Sequence, residues 1–335
     1  MLYTLVLFYF SQNNALATEQ VQLRINMTQP ATDPTTVLIE KWARDIEMAS
    51  NDAIQVSIYA GGELYGTRTE ITAVARGHIE GAFITVDYWG RTIPVMSILS
   101  KPFAFAKLEN VSAYSNRQLD RYLTDAIEKK GLKVLVWLLM ARMAAITTTE
   151  SPLASPTDFV GKKIRSVNLM LNSALSAVGA SPIPLAGGEV YMGLQTGMID
   201  GAITIPTAVY RRRYYEVNDY VTITPLFTTY QTLAVNRDWW DTVPVRMQQS
   251  VMRLSQQLEV VAAKLIDERE AEIPQLLREK GMTVYLHNQD EIDLLESVME
   301  PAWIATFLEQ AGNEGRDVLR AIEFQNKRIT EGAKH

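Results

Sequence analysis

The chain has 335 residues, a formal net charge of −6 and no cysteine, and 47% of its residues are hydrophobic. This length is sufficient for two lobes that each bury a hydrophobic core. The negative charge, with Arg211–Arg213 as the one basic run, argues against a nucleic-acid partner. The absence of cysteine excludes disulfides, thiolate metal sites and thiol nucleophiles.

The N-terminus has the features of an export signal. The run Leu2–Phe10 is apolar but too short to span a bilayer, and Ala15-Leu16-Ala17 follows it. This pattern is typical of a cleaved signal peptide, so residues 1–17 are predicted to be removed and Thr18 to begin the mature chain. No Lys or Arg precedes the apolar run, so the signal is expected to be truncated. No later segment is apolar enough for stable membrane insertion.

The next part of the chain predicts alternating strands and helices. Strands are predicted at Val21–Met27, Ile54–Ile58 and Gly81–Val86. Helices are predicted to begin at Thr36 and near Glu70. The resulting β-α-β-α-β order is typical of a parallel sheet.

Two candidate ligand-binding residues follow strands of this sheet. Gln29 lies in a turn-rich loop after the first strand, and Tyr88 follows the third. Open α/β sheets bind ligands beyond the carboxyl ends of their strands. Tyr88 could therefore form an aromatic wall of a cleft. The alternative is an aromatic ring packed beneath a loop, which is common for tyrosine and tryptophan.

The middle of the chain repeats this alternation. A helix is predicted at Val111–Lys129 and strands at Lys133–Leu138 and Ala144–Thr149. From Thr157 to Gly201 the elements alternate as strand, helix, extended step, helix and strand. They are Ile164–Val167, Leu169–Val178, Pro182–Pro184, Glu189–Gln195 and Ala202–Ile205. Arg165 lies at the end of the first of these strands, where such sheets place ligand contacts.

The stretch from Thr157 to Gly201 resembles the signature of the substrate-binding proteins of TRAP (tripartite ATP-independent periplasmic) transporters, the dicarboxylate-binding-protein family. The matching residues are in the family's order and spacing. They are Asp158, Gly161, Lys163–Arg165, Gly179–Pro182, Glu189, Tyr191, Leu194–Gln195, Gly197 and Ile199–Gly201.

This resemblance implies an α/β, two-lobed periplasmic binding protein fold with discontinuous lobes, crossing strands and a long helix that spans both lobes. Lobe one is expected to comprise 18–139 plus 231–267, and lobe two 140–230 plus 268–335. The strand pattern of Thr222–Val235 is the expected return crossing. The helical pattern of Met247–Gly281 matches the long helix, with Pro274 as a kink or break. Terminal helices are predicted at Gln289–Ala311 and Glu314–Arg328.

The resemblance also implies a binding role for three residues. Arg165 is expected to bind a ligand carboxylate, since a guanidinium group forms two charge-assisted hydrogen bonds to it. Arg142 lies near a second ligand arginine of the family, although Met140 replaces the family's glycine before it. Asn168 matches a family amide ligand, and it could equally cap the helix that begins at Leu169.

Three positions differ from the family and affect the expected ligand. Ile203 and Thr204 stand where the family more often has Glu and Asn, and Gly187 replaces a frequent aromatic. Fewer polar groups and more free volume favour a monocarboxylate with an apolar or aromatic body over a sugar acid. The alternative is a short dicarboxylate, with Arg142 binding the second charge. The three consecutive arginines are interpreted as a solvated helix face.

The sequence offers little for catalysis. The histidines, His78, His287 and His335, are scattered without metal-ligand spacing, and no nucleophile elbow or phosphate-binding loop is present. This absence favours a binding protein over an enzyme, and the resemblance implies a periplasmic protein, without cofactor or metal, that binds a small organic acid and delivers it to TRAP membrane permease subunits. The alternative is a sensor subunit that presents its ligand to a receptor kinase.

Overall fold

The computed structural model describes residues 20–104 and 119–332. The signal peptide predicted at residues 1–17 and the first part of the helix predicted at Val111–Lys129 lie outside these residues. The described part of that helix spans Leu119–Glu128.

Eleven strands in the described residues form two sheets. The first sheet has the order β2-β1-β3-β10-β4, and its strands are β1 (Val21–Met27), β2 (Ile54–Tyr59), β3 (Gly81–Thr85), β4 (Leu132–Ala141) and β10 (Thr229–Asn236). Strands β1, β2 and β3 are parallel, and β10 runs antiparallel to β3 and β4. The alternation of strands and helices predicted for this part of the chain is confirmed.

The second sheet has the order β11-β9-β5-β8-β6-β7. Its strands are β5 (Ala144–Thr148), β6 (Lys163–Ser166), β7 (Ser181–Pro184), β8 (Gly201–Thr204), β9 (Tyr220–Thr224) and β11 (Thr283–Leu286). Strands β6, β7 and β8 are parallel, while β5 is antiparallel to β8 and β9. The two sheets give the expected two-lobed α/β fold.

Helices cover both sheets. In chain order they are α1 (Pro34–Ala49), α2 (Glu70–Ala75), α3 (Val86–Trp89), α4 (Leu119–Glu128), α5 (Leu169–Ala177), α6 (Val190–Gln195), α7 (Pro206–Arg211), α8 (Arg237–Thr242), α9 (Val245–Glu279) and α10 (Gln289–Gly332). Helix α10 is interrupted at Gly312, where φ is 57°. This interruption lies between the two predicted terminal helices.

The chain crosses twice between the sheets by way of strands. Arg142 and Met143 join β4 to β5, and residues 225–228 join β9 to β10. The single strand predicted at Thr222–Val235 is therefore wrong, because it is divided at Pro225. Proline has no N–H for a ladder hydrogen bond, and the break lies where the chain passes from one sheet to the other.

The long helix α9 packs against both lobes, as the resemblance implied. Val251 and Leu258 belong to the core of the first sheet, whereas Ile273 and Leu277 belong to the core of the second. The helix continues past Pro274 to Glu279, so of the predicted kink or break at this residue the break is wrong, and the kink stays a prediction. Proline removes one helical hydrogen bond, but Ile273 and Leu277 on either side are buried and hold the last turns in place.

Helix α10 also contacts both lobes, which the sequence did not indicate. It packs against α5 from one lobe and against the 3-10 helix Pro94–Ser100 from the other. Trp303 and Phe307 are fully buried and stack with 4.8 Å between ring centroids. The two lobes are therefore joined by crossing strands, by α9 and by α10.

Candidate functional site

A cavity of about 500 Å³ lies between the two sheets. Loops that follow β1, β2 and β3 line it from the first sheet, and residues at or beyond the ends of β6, β7 and β8 line it from the second. The carboxyl ends of parallel strands from both lobes thus face one space, as expected for a ligand site in open α/β sheets. Five predicted site residues line it, namely Gln29, Tyr88, Arg165, Gly187 and Thr204.

Arg165 is the most deeply buried of the arginines that line this cavity, with 5% of its surface exposed. Its Nε donates to the carbonyl of Leu185 at 3.0 Å, and its Nη1 donates to the carbonyl of Ile203 at 2.8 Å. These carbonyls lie just beyond β7 and within β8, the two strands beside β6. The sheet itself therefore orients the guanidinium, and Nη2 has no acceptor among the described residues.

The charge of Arg165 is not matched by an ion pair within the described part of the chain. Asp87 is the carboxylate that lines the same cavity. Its Oδ1 accepts from Asn168 at 2.9 Å, and burial raises the pKa of this carboxyl above its usual range. Burial also lowers the pKa of Arg165, but an arginine remains charged in proteins. The cavity therefore contains a fixed, buried positive charge.

Asn168 does not line the cavity. Its Oδ1 accepts from the N–H of Leu171 at 2.8 Å and caps α5, while its Nδ2 donates to Asp87 and to Ser100. Both ends of the amide are thus used within the protein. Of the two predicted roles, the helix cap is the one that the structure shows. The two contacts of Nδ2 also link the lobes, because Asp87 and Ser100 belong to lobe one and Asn168 belongs to lobe two.

Arg142 does not reach the cavity either, which corrects its interpretation as a second ligand arginine. It lies in the crossing between β4 and β5, where its Nε donates to Asp267 of α9 at 2.7 Å. Its backbone N–H and that of Met143 donate to Glu270 at 2.8 and 3.1 Å. Arg142 therefore fixes α9 to the crossing strands.

The volume expected beside Gly187 is occupied by the guanidinium of Arg212. Arg212 Nη1 donates to the carbonyl of Gly187. A Cβ at Gly187 would lie only 3.1–3.3 Å from three guanidinium atoms, so a larger residue at this position would displace the arginine. Arg212 also lines the cavity, and the sequence reasoning missed it.

Arg211, Arg212 and Arg213 are all exposed, as the interpretation of a solvated face predicted, but Arg211 and Arg212 also line the cavity. Arg213 pairs with Glu216, and its side chain is 66% exposed. Arg211, at the end of α7, forms an ion pair with Asp33, whose side chain is 2% exposed and also caps α1 through Thr35. Burial lowers the pKa of Arg211 to about 10. This ion pair connects lobe two to lobe one.

A neighbouring cavity of about 430 Å³ differs in the state of its arginines. It is lined by Arg211, Arg213 and Arg269, and each of these forms an ion pair with a carboxylate of the protein, namely Asp33, Glu216 and Glu272. The interlobe cavity is also lined by Arg211, but it contains in addition Arg165 and Arg212, for which the described residues supply no such pair. An anionic ligand is therefore favoured in the interlobe cavity.

The first lobe contributes mainly neutral groups to this cavity. Gly61 and Gly62 have φ values of 71° and 77°, and their N–H groups donate to the carbonyls of Gln29 and Met27. Glycine adopts this left-handed conformation at little cost, so the loop after β2 can lie close against the end of β1. The side-chain oxygen of Gln29 is buried without a protein partner.

The described residues contain no group of three or more His, Cys, Asp or Glu side chains that could hold a metal ion. In the same part of the chain, no helix is long and apolar enough to cross a membrane.

Trp89 next to Tyr88 is fully buried and donates to Thr232 at 2.9 Å, so its role is structural.

Comparisons with known proteins identify the family of this chain. The model of the bacterial extracellular solute-binding protein family 7 matches residues 25–310. The 2,3-diketo-L-gulonate-binding periplasmic protein YiaO of Escherichia coli (strain K12) is 26% identical over 308 residues, which cover 90% of this chain and 91% of the relative. The C4-dicarboxylate-binding periplasmic protein DctP of Rhodobacter capsulatus is 24% identical over 280 residues, which cover 83% of this chain and 82% of the relative.

A solved structure shows the same fold. It is a TRAP periplasmic solute binding protein from Desulfovibrio salexigens with bound orotic acid, at a TM-score of 0.87 and 21% identity. The match covers 92% of this chain and 100% of that chain. Since the family match extends over most of the sequence, the chain belongs to the bacterial extracellular solute-binding protein family 7 and is a periplasmic solute-binding protein.

Proposed function

We propose that the protein captures a small organic carboxylate in the interlobe cavity and delivers it to the membrane permease subunits of a TRAP transporter. The observation that carries this proposal is the state of Arg165. Its guanidinium is buried, lines the cavity and is held by two backbone carbonyls rather than by a carboxylate.

An unpaired buried cation is costly, and a ligand anion is the partner that lowers this cost. With Nε and one N–H of Nη1 already used, Nη2 and the other N–H of Nη1 remain for the ligand. These two groups can bind the two oxygens of one carboxylate. Gln29, Tyr88 and Thr204 supply neutral polar groups around the rest of the ligand.

The similar proteins support an acidic ligand. The names of the two relatives refer to 2,3-diketo-L-gulonate and to C4-dicarboxylates, and the solved structure contains orotic acid. These compounds differ in their bodies and share an acidic group. We therefore extend only the acidic group to the ligand of this protein.

Contacts across the cleft support a delivery mechanism based on lobe closure. The Arg211–Asp33 ion pair and the hydrogen bond from Asn168 to Asp87 each join one lobe to the other. A ligand that binds Arg165 and the first-lobe groups together favours this closed form, and the permease can then recognise the closed form as the loaded state.

We propose lobe boundaries of 18–139 plus 231–267 for lobe one and 140–230 plus 268–335 for lobe two.

A screen of organic acids by thermal shift, followed by calorimetry, tests ligand capture. Ligands that bind only the folded protein raise its melting temperature. We expect at least one carboxylate to do so, its uncharged amide analogue to do so far less, and the acid to be recovered unchanged. Binding of neutral solutes with no response to any carboxylate would contradict the proposal.

Delivery is tested separately by ligand uptake into vesicles that contain the cognate permease subunits. Uptake that requires this protein supports transport. Binding without uptake, together with activation of a receptor kinase by the loaded protein, would instead support the sensor alternative.

A further inference from the structure

Three consecutive arginines follow α7, and the middle one differs from its neighbours. Arg211 is paired with Asp33, and Arg213 is paired with Glu216. Arg212 has no carboxylate partner in the described residues, and its Nη1 donates to the carbonyl of Gly187. Of the two that line the interlobe cavity, Arg211 and Arg212, Arg212 is thus the one without a carboxylate partner, and its exposed side chain is accessible to a ligand that enters the cavity.

Gly187 determines whether Arg212 can take this position. The atoms nearest to a Cβ built at Gly187 are Nη2, Nη1 and Cζ of Arg212, at 3.1, 3.2 and 3.3 Å. Such distances are tighter than ordinary van der Waals contact, so even alanine would press on the guanidinium. The absence of a side chain at Gly187 therefore admits a second cation to the cavity.

The cavity then contains Arg165 and Arg212 together, and both come from lobe two. Two like charges repel each other: burial is the main cause that lowers the pKa of Arg165, and the positive charge of Arg212 lowers it further. Asp87 on the opposite lobe is the carboxylate in the lining, and it is already bound by Asn168. A ligand with one acidic group would leave one of the two guanidinium groups without an anion.

We propose that Arg212 is a second ligand-binding arginine, admitted by Gly187, and that it selects ligands that carry a second acidic group. This inference rests on the proposed function, since it assumes that Arg165 binds the first acidic group. It replaces the expectation of a monocarboxylate, which assumed empty volume beside Gly187. For the alternative of a dicarboxylate ligand, it assigns the second acidic group to Arg212 instead of Arg142.

The test compares diacids with their monoamides, which have nearly the same size and one charge fewer. Linear dicarboxylates of three to six carbons and their monoamides are titrated by calorimetry into the wild-type protein, Arg212→Gln and the control Arg213→Gln. In Arg212→Gln we expect the affinity for the best diacid to fall by roughly 10- to 100-fold, as for loss of a charge-assisted contact. The affinity for its monoamide should change by less than about threefold.

Gly187→Phe provides a second, independent variant. It leaves Arg212 in the sequence but places a large side chain where its guanidinium lies, so it should also weaken diacid binding more than monoamide binding. Arg213→Gln should leave both affinities near the wild-type value, because Arg213 is exposed and lies outside this cavity. Melting temperatures of the unliganded variants identify any loss of folding.

The outcomes separate this inference from the proposed function. If no carboxylate binds the wild-type protein, the proposed function fails. If carboxylates bind but diacids and monoamides lose affinity equally in Arg212→Gln, Arg212 does not select for a second acidic group. A wild-type preference for apolar monocarboxylates over every diacid would overturn the inference in the same way.

Discussion

In the described part of the chain, Glu70 of the first lobe and Arg165 of the second are both buried without a partner of opposite charge, and they behave differently. In the first lobe, Glu70 is fully buried, and its Oε2 accepts from Asn26 at 3.0 Å. Burial raises the pKa of Glu70 to about 8, so it is mostly protonated at neutral pH. In the second lobe, Arg165 is almost as buried, but a guanidinium cannot release its proton under these conditions.

The difference shows which kind of unpaired group indicates a binding site. A carboxyl group can become neutral and remain a structural residue, as Glu70 does beside Asn26. An arginine keeps its charge, so its burial is tolerated only with an anion or with many acceptors. Arg165 has two carbonyl acceptors and an adjoining cavity, which makes a ligand anion the expected partner.

The largest expected loss of ligand affinity comes from removing the guanidinium group of Arg165. Arg165→Ala should weaken carboxylate binding by roughly 2–5 kcal/mol, the cost of truncating one partner of a buried charge pair. Arg165→Lys should also bind weakly, because a point charge cannot reproduce the planar fork. Calorimetry with the best carboxylate of the screen measures both losses.

Arg142→Gln is the matched control, since Arg142 has the same charge but lies at the crossing between the lobes. The affinity of this variant for the ligand should stay near the wild-type value, because neither Arg142 nor its half-exposed partner Asp267 lines the cavity. If Arg142→Gln and Arg165→Ala lost the same ligand affinity, the assignment of carboxylate binding to Arg165 and not to Arg142 would be contradicted.

A smaller loss of affinity is expected when the interlobe ion pair is removed. Asp33→Asn keeps a good cap for α1 but removes the charge that binds Arg211. The closed form should lose about 1–3 kcal/mol, as for a hydrogen bond to a charged group, and the ligand affinity should fall accordingly. Calorimetry measures the affinity, and small-angle scattering measures whether the loaded protein is less compact.

Asp45→Asn on the exposed side of the same helix serves as control, because its pair with Lys41 lies within α1. It should change neither affinity nor compactness. An unchanged affinity in Asp33→Asn as well would mean that the ion pair does not contribute to closure.

The smallest effect on ligand binding is expected at Glu70, where the change should appear in the pH dependence of stability. The folded-state pKa of about 8 lies above the ordinary value of 4.5, so Glu70 favours the folded state below pH 4.5 and loses this contribution as pH rises through 8. Between these values the wild-type protein should lose roughly 1 kcal/mol of stability per pH unit from this group.

Glu70→Gln cannot ionise and keeps an acceptor for Asn26, so this part of the pH dependence should disappear while affinity at pH 7 stays near wild type. Urea denaturation from pH 5 to 9 measures the difference. Parallel pH profiles of the two proteins would show that Glu70 is ionised in the fold, contrary to this account.

Local patterns allowed much of the fold to be predicted. The helix predicted at Leu169–Val178 is found at Leu169–Ala177, and the one predicted at Glu189–Gln195 is found at Val190–Gln195. Gly179 and Gly197, both with positive φ, follow these helices closely, so their ends were visible in the sequence. Arg165 was identified because it lies within a long, ordered motif at the end of a strand.

The contacts around the cavity depend on tertiary structure and were not predictable in the same way. Arg142 was placed near the ligand by resemblance, but its partner Asp267 is 125 residues away on a helix that crosses both lobes. Arg212 contacts Gly187 across 25 residues, and neither position alone indicates a site. The sequence did contain one indication. Gly187 stands where the family often has an aromatic residue, and Arg212 is a long side chain that could occupy the volume of that aromatic.

The most direct test of the central claim is a crystal structure of the protein with the tightest-binding carboxylate from the screen. The account predicts that the two oxygens of one ligand carboxylate lie within about 2.7–3.2 Å of Nη1 and Nη2 of Arg165. The contacts from Arg165 to Leu185 and Ile203 should be retained. A carboxylate bound elsewhere in the cavity, with Arg165 contacting only those two carbonyls, would contradict the account.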